Sequence, residues 1–406
     1  MVKDIRSITL IFFLLFLVEL TSIKAQPFSP YFFELPDSIT TLNISVVGDL
    51  MCHSVQFNYA RVDADSFDFK GVYRDVKKYL SEADFTFGNF ETVLAGKSKG
   101  YSGYPFFNTP DAFLDAIKDA GFDLLVTANN HALDQGEKGV LRTIEKINDA
   151  GINQTGTFNS QRDRDSIRIF KIHNIKFAVL AYTFSTNDVP IPKGKDYLIN
   201  IIDFDLIKSD IKKARELDAE IVLVNYHYGT EYKREPVAYQ KEVVNKTIEA
   251  GADIIIGGHP HVIQPVDYFK TDSAKLDTGF IAYSVGNFVS NQRWRYSDAG
   301  MILNIQLAKN RNTDSIYINK VSYIPTWVFK GKIEEKKEYV ILPSTISQDD
   351  PVLNYLTKTD EVNMRQAFDD TKYILTMYNN NIEEISEKEE IPFTQLQLKK
   401  ETSKKE

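Results

Sequence analysis

The sequence predicts an α/β fold, in which helices cover a mainly parallel β-sheet. Apolar runs of strand length alternate with segments of helical periodicity, and this βαβα order is typical of parallel sheets. The chain has 406 residues, of which 43% are hydrophobic and 26% charged, so it can bury a large core. No Pro-, Gly- and Ser-rich break divides the pattern. We therefore expect one large domain, with room for two sheets.

The first half of the chain gives the clearest alternation. Pro110 suits the first turn of a helix that starts at residue 111, and Gly151 is suited to end the helix before it. The predicted strands cover residues 43–47, 84–87 and 123–128. The predicted helices cover residues 72–81, 111–120 and 137–150.

The second half repeats this order less strictly. A hairpin that turns about Asn174 is predicted from the apolar runs 167–173 and 176–181. Helices are then predicted at 206–217 and 240–250, and strands at 220–226 and 253–256. The remaining β-rich segments are 280–284, 300–307 and 315–328.

The N-terminus has the pattern of a secretory signal peptide over residues 1–25. Lys3 and Arg6 precede an apolar run at 8–18, and Ala25 offers a small residue for cleavage. The run is short for a bilayer span, so we expect removal rather than anchoring. The predicted location is therefore the periplasm, the cell surface or the medium.

The rest of the chain divides by composition. A main domain is predicted at 40–335, a helical extension at 336–380, and a charged, flexible tail at 381–406. The formal net charge of −8 argues against a nucleic-acid partner, because such binding requires basic surface.

Polar residues follow the predicted strands at the points where those strands end. Asp49 follows the first strand, and Asn89 and Glu91 follow the second. Because the carboxyl ends of strands in an α/β sheet converge on one crevice, we expect these side chains to lie close together. The other polar residues of this kind are Asn129, Asn130, His131, His227, His259 and His261.

The histidines are concentrated in these segments. The chain has 6 histidines, and His173 alone lies apart from the strand ends. A lone histidine is more often structural than catalytic, and a lone Gly-Asp or Asn-x-Glu also fits a turn or a cap. Several histidines together with carboxylates and amides instead favour a site for Mn, Mg, Fe or Zn. The strongest local pattern is His259-Pro260-His261, in which proline stiffens the loop between two candidate ligands.

Six motifs occur in a fixed order between residues 44 and 303. They are Gly-Asp, Asn-x-Glu, Asn-Asn-His-x-x-Asp-x-Gly, His-x-Gly-x-Glu-Tyr, Gly-x-His-Pro-His-Val-x-Gln and Ser-x-Gly-Asn-Phe, which begin at residues 48, 89, 129, 227, 257 and 284. This order resembles the CapA family, the poly-γ-glutamate capsule-synthesis proteins. That family is similar to the calcineurin-like metallophosphoesterases. The resemblance implies a four-layer α/β/β/α sandwich with two metals between strand-end loops.

The resemblance also implies a role for each motif residue. Glu91 stands at the position of a bridging ligand, and Asn130 at that of a metal-binding amide. His131 stands where the superfamily has a histidine that assists the leaving group. The implied metal ligands are Asp49, Glu91, Asn130, His227, His259 and His261.

One position departs from the superfamily pattern. Its first motif reads Asp-x-His, whereas Met51 occupies the third position here. A thioether is a poor ligand for Mn or Zn, so the expected cofactor is one or two divalent ions. His53 lies two residues later, and we do not expect it to replace the missing ligand.

Further residues are predicted to complete the site. Asp134 is expected to orient His131, and Glu231 to contact substrate or to orient His227. His131, Asp134 and Glu231 are the predicted catalytic residues. Arg293 and Arg295 are candidates for binding an anionic substrate, with a solvated surface pair as the alternative. The predicted substrate-binding residues are Asn89, Asn129, Asn287, Arg293 and Arg295.

Three functions agree with these features. The first is an exported protein of capsule or poly-γ-glutamate biosynthesis or processing, with a metal-dependent hydrolase-like site. The second is a secreted metallophosphoesterase with another substrate, and the third is a non-catalytic polymer-binding scaffold, for which Met51 is an argument. The expected partners are an anionic polymer or phosphoester and the envelope biosynthesis machinery.

Overall fold

The computed structural model describes residues 38–346, 350–378 and 382–385. Within these residues the strands form two β-sheets, which carry helices on their outer faces. The predicted signal peptide at 1–25 lies outside the described residues, as does most of the predicted tail at 381–406.

The first sheet combines a parallel half with an antiparallel half. In spatial order its strands are β14 (Lys336–Pro343), β13 (Ile316–Ile333), β12 (Ala299–Asn310), β1 (Ile39–Leu50), β2 (Phe85–Phe90), β3 (Leu124–Val126) and β4 (Asn153–Thr155). Strands β1 to β4 pair in parallel, and β1 also pairs antiparallel with β12, which continues through β13 to β14. Two short strands extend it: β11 (Asn287–Val289) pairs with β1, and β15 (Glu383–Glu384) pairs with β13.

The second sheet is parallel in its centre and antiparallel at both edges. In spatial order it contains β5 (Ile169–Ile172), β6 (Ile175–Thr183), β7 (Ile221–His227), β8 (Ile254–Gly258), β10 (Thr278–Ala282) and β9 (Val266–Lys270). The predicted hairpin is confirmed, because β5 and β6 pair antiparallel around a turn at His173 and Asn174. Both turn residues have positive φ, at 46° and 63°, as a tight two-residue hairpin turn requires.

The helices vary from single turns to five turns. In chain order they are α1 (Ser54–Tyr59), α2 (Lys70–Tyr73), α3 (Lys77–Ser81), α4 (Ala112–Ala120), α5 (Gly136–Asp149), α6 (Gln161–Arg164), α7 (Phe204–Glu216), α8 (Ala238–Glu249) and α9 (Lys358–Leu375). Short 3₁₀ turns lie at Lys97–Lys99, Asp196–Leu198 and Pro351–Tyr355. Among the described residues, no helix combines the length and apolar character that a bilayer span requires.

The core is divided into layers by the alternation of side chains along the strands. Leu124 and Val126 of β3 pack between the sheets with residues of β6, β7 and β8, whereas Leu125 faces outward against α4. On the second sheet, Val222 and Val224 face outward against α7 and α8. The two sheets with helices outside each confirm the predicted four-layer α/β/β/α sandwich.

The structure differs from the sequence-based boundaries in three places. The helix expected at 72–81 is two short helices. Val76 N donates to Tyr73 O, three residues back, at 3.1 Å, and this bond interrupts the i→i−4 hydrogen bonding of an α-helix. The region 336–380, predicted as a helical extension, contains α9 but begins with β14, an integral strand of the first sheet. Within the predicted tail, β15 is a strand.

Candidate metal centre

The carboxyl ends of four strands, β1, β2, β7 and β8, meet the start of β11 at one place between the two sheets. In the first sheet, Asp49 pairs in register with Asn89 of β2 and with Asn287 of β11. In the second sheet, His227 at the end of β7 pairs with Gly258 at the end of β8. The parallel strands therefore bring motifs that are distant in sequence to one edge, as the sequence predicts.

The backbone around β8 permits a close approach of the two sheets. A Cβ atom at Gly258 would lie 2.9 Å from Oδ1 of Asp49, so glycine is needed where the first sheet meets the second. His259 and His261, which follow, have φ values of 90° and 57°. Such left-handed conformations are costly for histidine and concentrate at functional sites.

Three overlapping groups of side chains offer ligand atoms within 4.8 Å of one another. Two of them are fully buried, and both include Glu91, which lies between the two sides of the cluster. The buried groups are Glu91 with His227 and His259, and Asp49 with Glu91 and His261. The third group contains the exposed Glu231 with His259 and His261.

Glu91 is the least satisfied polar side chain of this cluster. It is completely buried, and neither of its carboxylate oxygens has a hydrogen-bond partner among the described residues. Oε1 lies 3.5 Å from Nε2 of His227 and 3.8 Å from Nε2 of His261. A buried carboxylate that accepts no hydrogen bond requires a compensating cation. The donor set of carboxylates, imidazoles and an amide fits a divalent metal ion.

The amide of Asn130 and the imidazoles also face one another. Oδ1 of Asn130 lies 2.7 Å from Nε2 of His227, and Nδ1 of His259 lies 3.2 Å from the same nitrogen. Nδ2 of Asn89 lies 2.8 Å from Oδ1 of Asp49 and 3.1 Å from Nδ1 of His227. Each predicted ligand thus lies close to at least one other, and Asn89 holds two of them in place.

The charges of the cluster are strongly coupled. Burial opposes ionisation of Asp49, but its hydrogen bond with His261 and the charges of His227 and His261 hold the pKa of Asp49 below its usual range. Burial also works against the charged ring of His261, yet Glu91 and Asp49 raise its pKa to about 9. Burial and the neighbouring imidazoles lower the pKa of His259 well below its ordinary value. Asp49 and Glu91 therefore both favour the charged form of the His261 ring, a role that a bound cation would take over.

His131 is held as the sequence predicts. Its Nδ1 lies 2.8 Å from Oδ2 of Asp134, and Phe107 N donates to the same carboxylate oxygen at 2.7 Å. Burial disfavours the charged ring, but the hydrogen bond to Asp134 and the charge of Glu91 raise the pKa of His131. Asp134 therefore fixes the orientation of the ring.

Asn129 and Asn287, two further predicted substrate-binding amides, also make hydrogen bonds within the cluster. Nδ2 of Asn129 donates to Oδ1 of Asn89 and to Phe90 O, at 3.1 and 2.9 Å, and His131 N donates to Oδ1 of Asn129. Oδ1 of Asn287 lies 3.1 Å from Nδ1 of His261. These amides are in the cluster, as predicted, where they orient its other members.

The structure does not bring the two arginines into the cluster. Arg293 donates to Val328 O, and its guanidinium lies 5.1 Å from the ring centroid of Trp327. Arg295 forms a two-bond ion pair with Asp370 of α9, at 2.8 and 2.7 Å. For Arg295 the alternative of a surface pair is therefore the observed one.

Met51, which departs from the superfamily's first motif, takes no part in the cluster. Met51 is buried, and its backbone accepts from Nε2 of Gln56 at 2.9 Å. Nδ1 of His53 lies 3.1 Å from Oε1 of Gln56 and accepts from Asn291 N at 3.3 Å. Burial lowers the pKa of His53 to about 4. Neither residue belongs to the ligand groups formed by the described residues, so His261 and not His53 complements Asp49 and Glu91.

Sequence reasoning missed the aromatic rings around the cluster. Phe107 and Tyr104 lie 4.7 and 6.3 Å from the ring of His131, and Phe184 lies 4.6 Å from that of His259. Tyr232 lies 6.1 Å from His261. Of these four rings, only that of Tyr232 belongs to one of the six motifs. The other three lie in loops, and their local sequence does not indicate that they lie near the histidines.

Comparison with known proteins agrees with this arrangement of motifs. The family described as "Bacterial capsule synthesis protein PGA_cap" matches residues 43–292. The capsule biosynthesis protein CapA of Bacillus anthracis is 31% identical over 275 residues, which are 64% of this chain and 63% of that protein. The PGA biosynthesis protein CapA of Bacillus subtilis (strain 168) is 28% identical over 273 residues, 66% of this chain and 68% of its own.

Solved structures share the architecture only loosely. The NAD nucleotidase of Haemophilus influenzae aligns with a TM-score of 0.45 and 13% identity, over 90% of this chain and 68% of its own. The calcineurin-like phosphoesterase YfkN of Bacillus subtilis aligns with a TM-score of 0.40 and 13% identity, over 83% and 99%. Both TM-scores are below 0.5, so our description of the fold depends only on the two sheets of this chain. The match over residues 43–292 shows that this chain belongs to the PGA_cap family of bacterial capsule synthesis proteins.

Proposed function

We propose that this chain is an exported, divalent-metal-dependent hydrolase of capsule biosynthesis that acts on a γ-glutamyl polymer. The observation that carries this proposal is the buried carboxylate of Glu91, which has no hydrogen-bond partner in the part of the chain that the structure describes and lies among the imidazoles of His227, His259 and His261. No purely structural role requires such an arrangement, because a buried charge without partners destabilises the fold.

The residues of the cluster divide into two roles. Asp49, Glu91, Asn130, His227, His259 and His261 would hold one or two cations, which activate water and neutralise charge on the attacked group. His131 would donate a proton to the leaving group, since Asp134 fixes its ring beside the ligands. Glu231 is exposed next to His259 and His261, where it can contact substrate at the mouth of the site.

The substrate and location rest on the family and on the N-terminus. The relatives are described as capsule biosynthesis and PGA biosynthesis proteins, which supports an anionic capsule polymer as the substrate. The signal-peptide pattern at 1–25 supports export from the cytoplasm. After export the chain would act together with envelope biosynthesis machinery on an anionic polymer.

A phosphoester is the second candidate substrate. The order Asp49, Glu91, Asn130 and His131, with later histidines, resembles the metallophosphoesterase pattern, and the cluster brings these residues together. Phosphoester and amide hydrolysis need the same cation and the same proton donor, so the cluster alone does not choose between them.

Alanine variants of His259 and His131 test the proposal. Cleavage of a γ-linked glutamate polymer and of a generic phosphoester are assayed with each variant, and metal content is measured in parallel. His173→Ala is the matched control, because this histidine is 41% exposed and lies outside the cluster.

The two variants have different expected outcomes. His259→Ala is expected to lose metal and activity together, whereas His131→Ala keeps its metal and loses about 10²–10⁴-fold in rate. Loss of polymer cleavage supports the first substrate, and loss of phosphoester cleavage alone supports the second. A wild-type chain that binds metal but cleaves neither, in any metal, would contradict hydrolysis and favour the scaffold.

A further inference from the structure

Two aromatic side chains lie where the metal centre opens to solvent. The ring of Tyr232 packs edge-on against that of Trp294, with centroids 5.2 Å apart, and lies 6.1 Å from the ring of His261. Both rings are largely apolar, yet 41% of Tyr232 and 49% of Trp294 is exposed. Glu231, which precedes Tyr232, is the exposed member of the third ligand group. Tyr232 and Trp294 are called the aromatic platform.

The backbone holds Tyr232 in a costly conformation. Its φ is 63°, in the left-handed region that is unfavourable for a bulky side chain. Tyr232 N donates to Pro260 O at 2.8 Å, and Pro260 lies between the predicted ligands His259 and His261. This bond ties the loop of Tyr232 to the loop of the histidines. Such strain persists only where the surrounding structure imposes it, and it concentrates at functional sites.

Hydrogen bonds also connect the aromatic platform to the ligand His261. Nε2 of Gln292 donates to the hydroxyl of Tyr232 at 3.3 Å, and Nδ2 of Asn287 donates to Oε1 of Gln292 at 2.9 Å. Oδ1 of Asn287 lies 3.1 Å from Nδ1 of His261. The aromatic platform therefore has a defined position beside the cluster, and a molecule that lies on its rings is held close to the metal ligands.

The two tryptophans of the chain have contrasting environments. Trp327 is fully buried, and its Nε1 donates to Oδ2 of Asp298 at 2.9 Å. Trp294 is half exposed, and its Nε1 forms no hydrogen bond within the part of the chain that the structure describes. Trp294 therefore offers a ligand both apolar ring surface and an unused hydrogen-bond donor.

We propose that the aromatic platform binds the chain of an amide-linked polymer next to the metal centre. The inference rests on the proposed function, and it favours the γ-glutamyl polymer over the phosphoester. A γ-glutamyl unit has a planar amide and apolar methylenes, which pack against flat aromatic rings. The indole N–H of Trp294 can donate to an amide oxygen of the same unit. A simple phosphoester has tetrahedral, strongly hydrated oxygens, for which the two rings provide no positive charge. The aromatic platform thus determines specificity, and the cluster supplies the chemistry.

Quenching of tryptophan fluorescence by acrylamide tests where the polymer lies. The chain has 2 tryptophans, and Trp327 is buried, so the quencher reports on Trp294. The full chain is loaded with Mn²⁺ and titrated with a γ-linked glutamate oligomer, with His131→Ala in parallel to slow cleavage. The oligomer is expected to shield Trp294, so that the quenching constant falls. Free glutamate and inorganic polyphosphate, which have no amide-linked chain, are expected to leave it unchanged.

Leucine variants test the rings one at a time. The anisotropy of a fluorescent γ-linked glutamate oligomer is expected to show about tenfold weaker binding by Tyr232→Leu and by Trp294→Leu. Tyr232→Phe keeps the ring and is expected to stay within about twofold of wild type. Tyr317→Leu is the matched control, because Tyr317 is also 41% exposed but lies level with Thr41, at the opposite end of β1 from the cluster.

Several results would overturn the aromatic platform. These are a wild-type chain that does not bind the oligomer, unchanged quenching of Trp294 at saturating oligomer, and equal loss of affinity in Tyr317→Leu. Shielding by polyphosphate as strong as that by the oligomer would also overturn it, because the rings would then not select an amide-linked chain.

Metal content, measured in the same samples, separates this result from the proposed function. A wild-type chain without metal would contradict the metal-dependent hydrolase, whatever the probes show. Weaker binding by both leucine variants with unchanged metal content supports the aromatic platform, because neither fluorescence nor anisotropy requires turnover. If Tyr232→Leu alone binds weakly and also loses metal, Tyr232 supports His261 instead, and the aromatic platform is wrong.

Discussion

Replacing Glu91 with glutamine tests the electrostatic argument for the metal centre. The side chain is fully buried, and neither carboxylate oxygen has a hydrogen-bond partner within residues 38–346, 350–378 and 382–385. One unsatisfied buried group costs about 1–3 kcal/mol, so the two oxygens destabilise the metal-free fold by about 2–6 kcal/mol. The nearby imidazolium of His261, at 3.8 Å, offsets part of that cost. A cation coordinated by Glu91 is therefore expected to stabilise the folded chain.

The assay is denaturant unfolding with chelator and with Mn²⁺. At a metal concentration about 100 times the dissociation constant, wild-type stability rises by about 2.7 kcal/mol. Glu91→Gln keeps the shape of the side chain but removes its charge from both buried ligand groups. If the dissociation constant rises about twentyfold, the gain at the same metal concentration falls to about 1 kcal/mol.

Glu249→Gln is the control for this prediction. Glu249 is an exposed carboxylate at the end of α8, so its variant is expected to keep the full metal-dependent gain. An equal gain in Glu91→Gln and wild type would refute the assignment of Glu91 as a metal ligand. A gain in neither would refute the metal centre itself.

Two further predictions concern stability. The pKa of His53 is about 4 in the folded chain and about 6.5 when unfolded, so protonation favours unfolding as the pH falls below 6.5. With chelator present, the difference in unfolding free energy between wild type and His53→Gln is expected to fall by about 3 kcal/mol from pH 7 to pH 4; a constant difference would disprove the burial argument. Asp210 accepts two hydrogen bonds from the buried Arg164 and one from Tyr182, at 2.9, 2.6 and 2.7 Å. Asp210→Ala is expected to lower stability by about 3–5 kcal/mol in denaturant unfolding, and a loss below about 1 kcal/mol would contradict it.

Much of the fold follows from local sequence patterns. The βαβα order predicted the parallel strands, and Asn174 marked a hairpin that the structure contains. The helix expected at 72–81 failed because apolar periodicity does not report a local i→i−3 bond such as that from Val76 to Tyr73. Strand β14 was missed for a related reason. Its first residues are lysines and a glutamate, which do not indicate a strand, and its extended conformation depends on pairing with β13.

The composition of the site was predictable, whereas its neighbourhood was not. Residues at strand ends converge by a general rule of parallel sheets, which is why Asp49, Glu91 and His227 could be grouped from sequence. Arg293 was placed near the site by sequence distance, but it donates to Val328 O and its guanidinium lies over the ring of Trp327. Loop direction depends on tertiary contacts, and no local pattern encodes it.

The most direct test of the metal centre is elemental analysis of the purified chain after metal supplementation and removal of free ions. The buried groups that share Glu91 predict at least one equivalent of a divalent metal per chain, and two if both groups are filled. His259→Ala is expected to bind less, while His173→Ala binds as much as wild type. A chain that retains no Mn, Mg, Fe or Zn after supplementation would contradict the central claim.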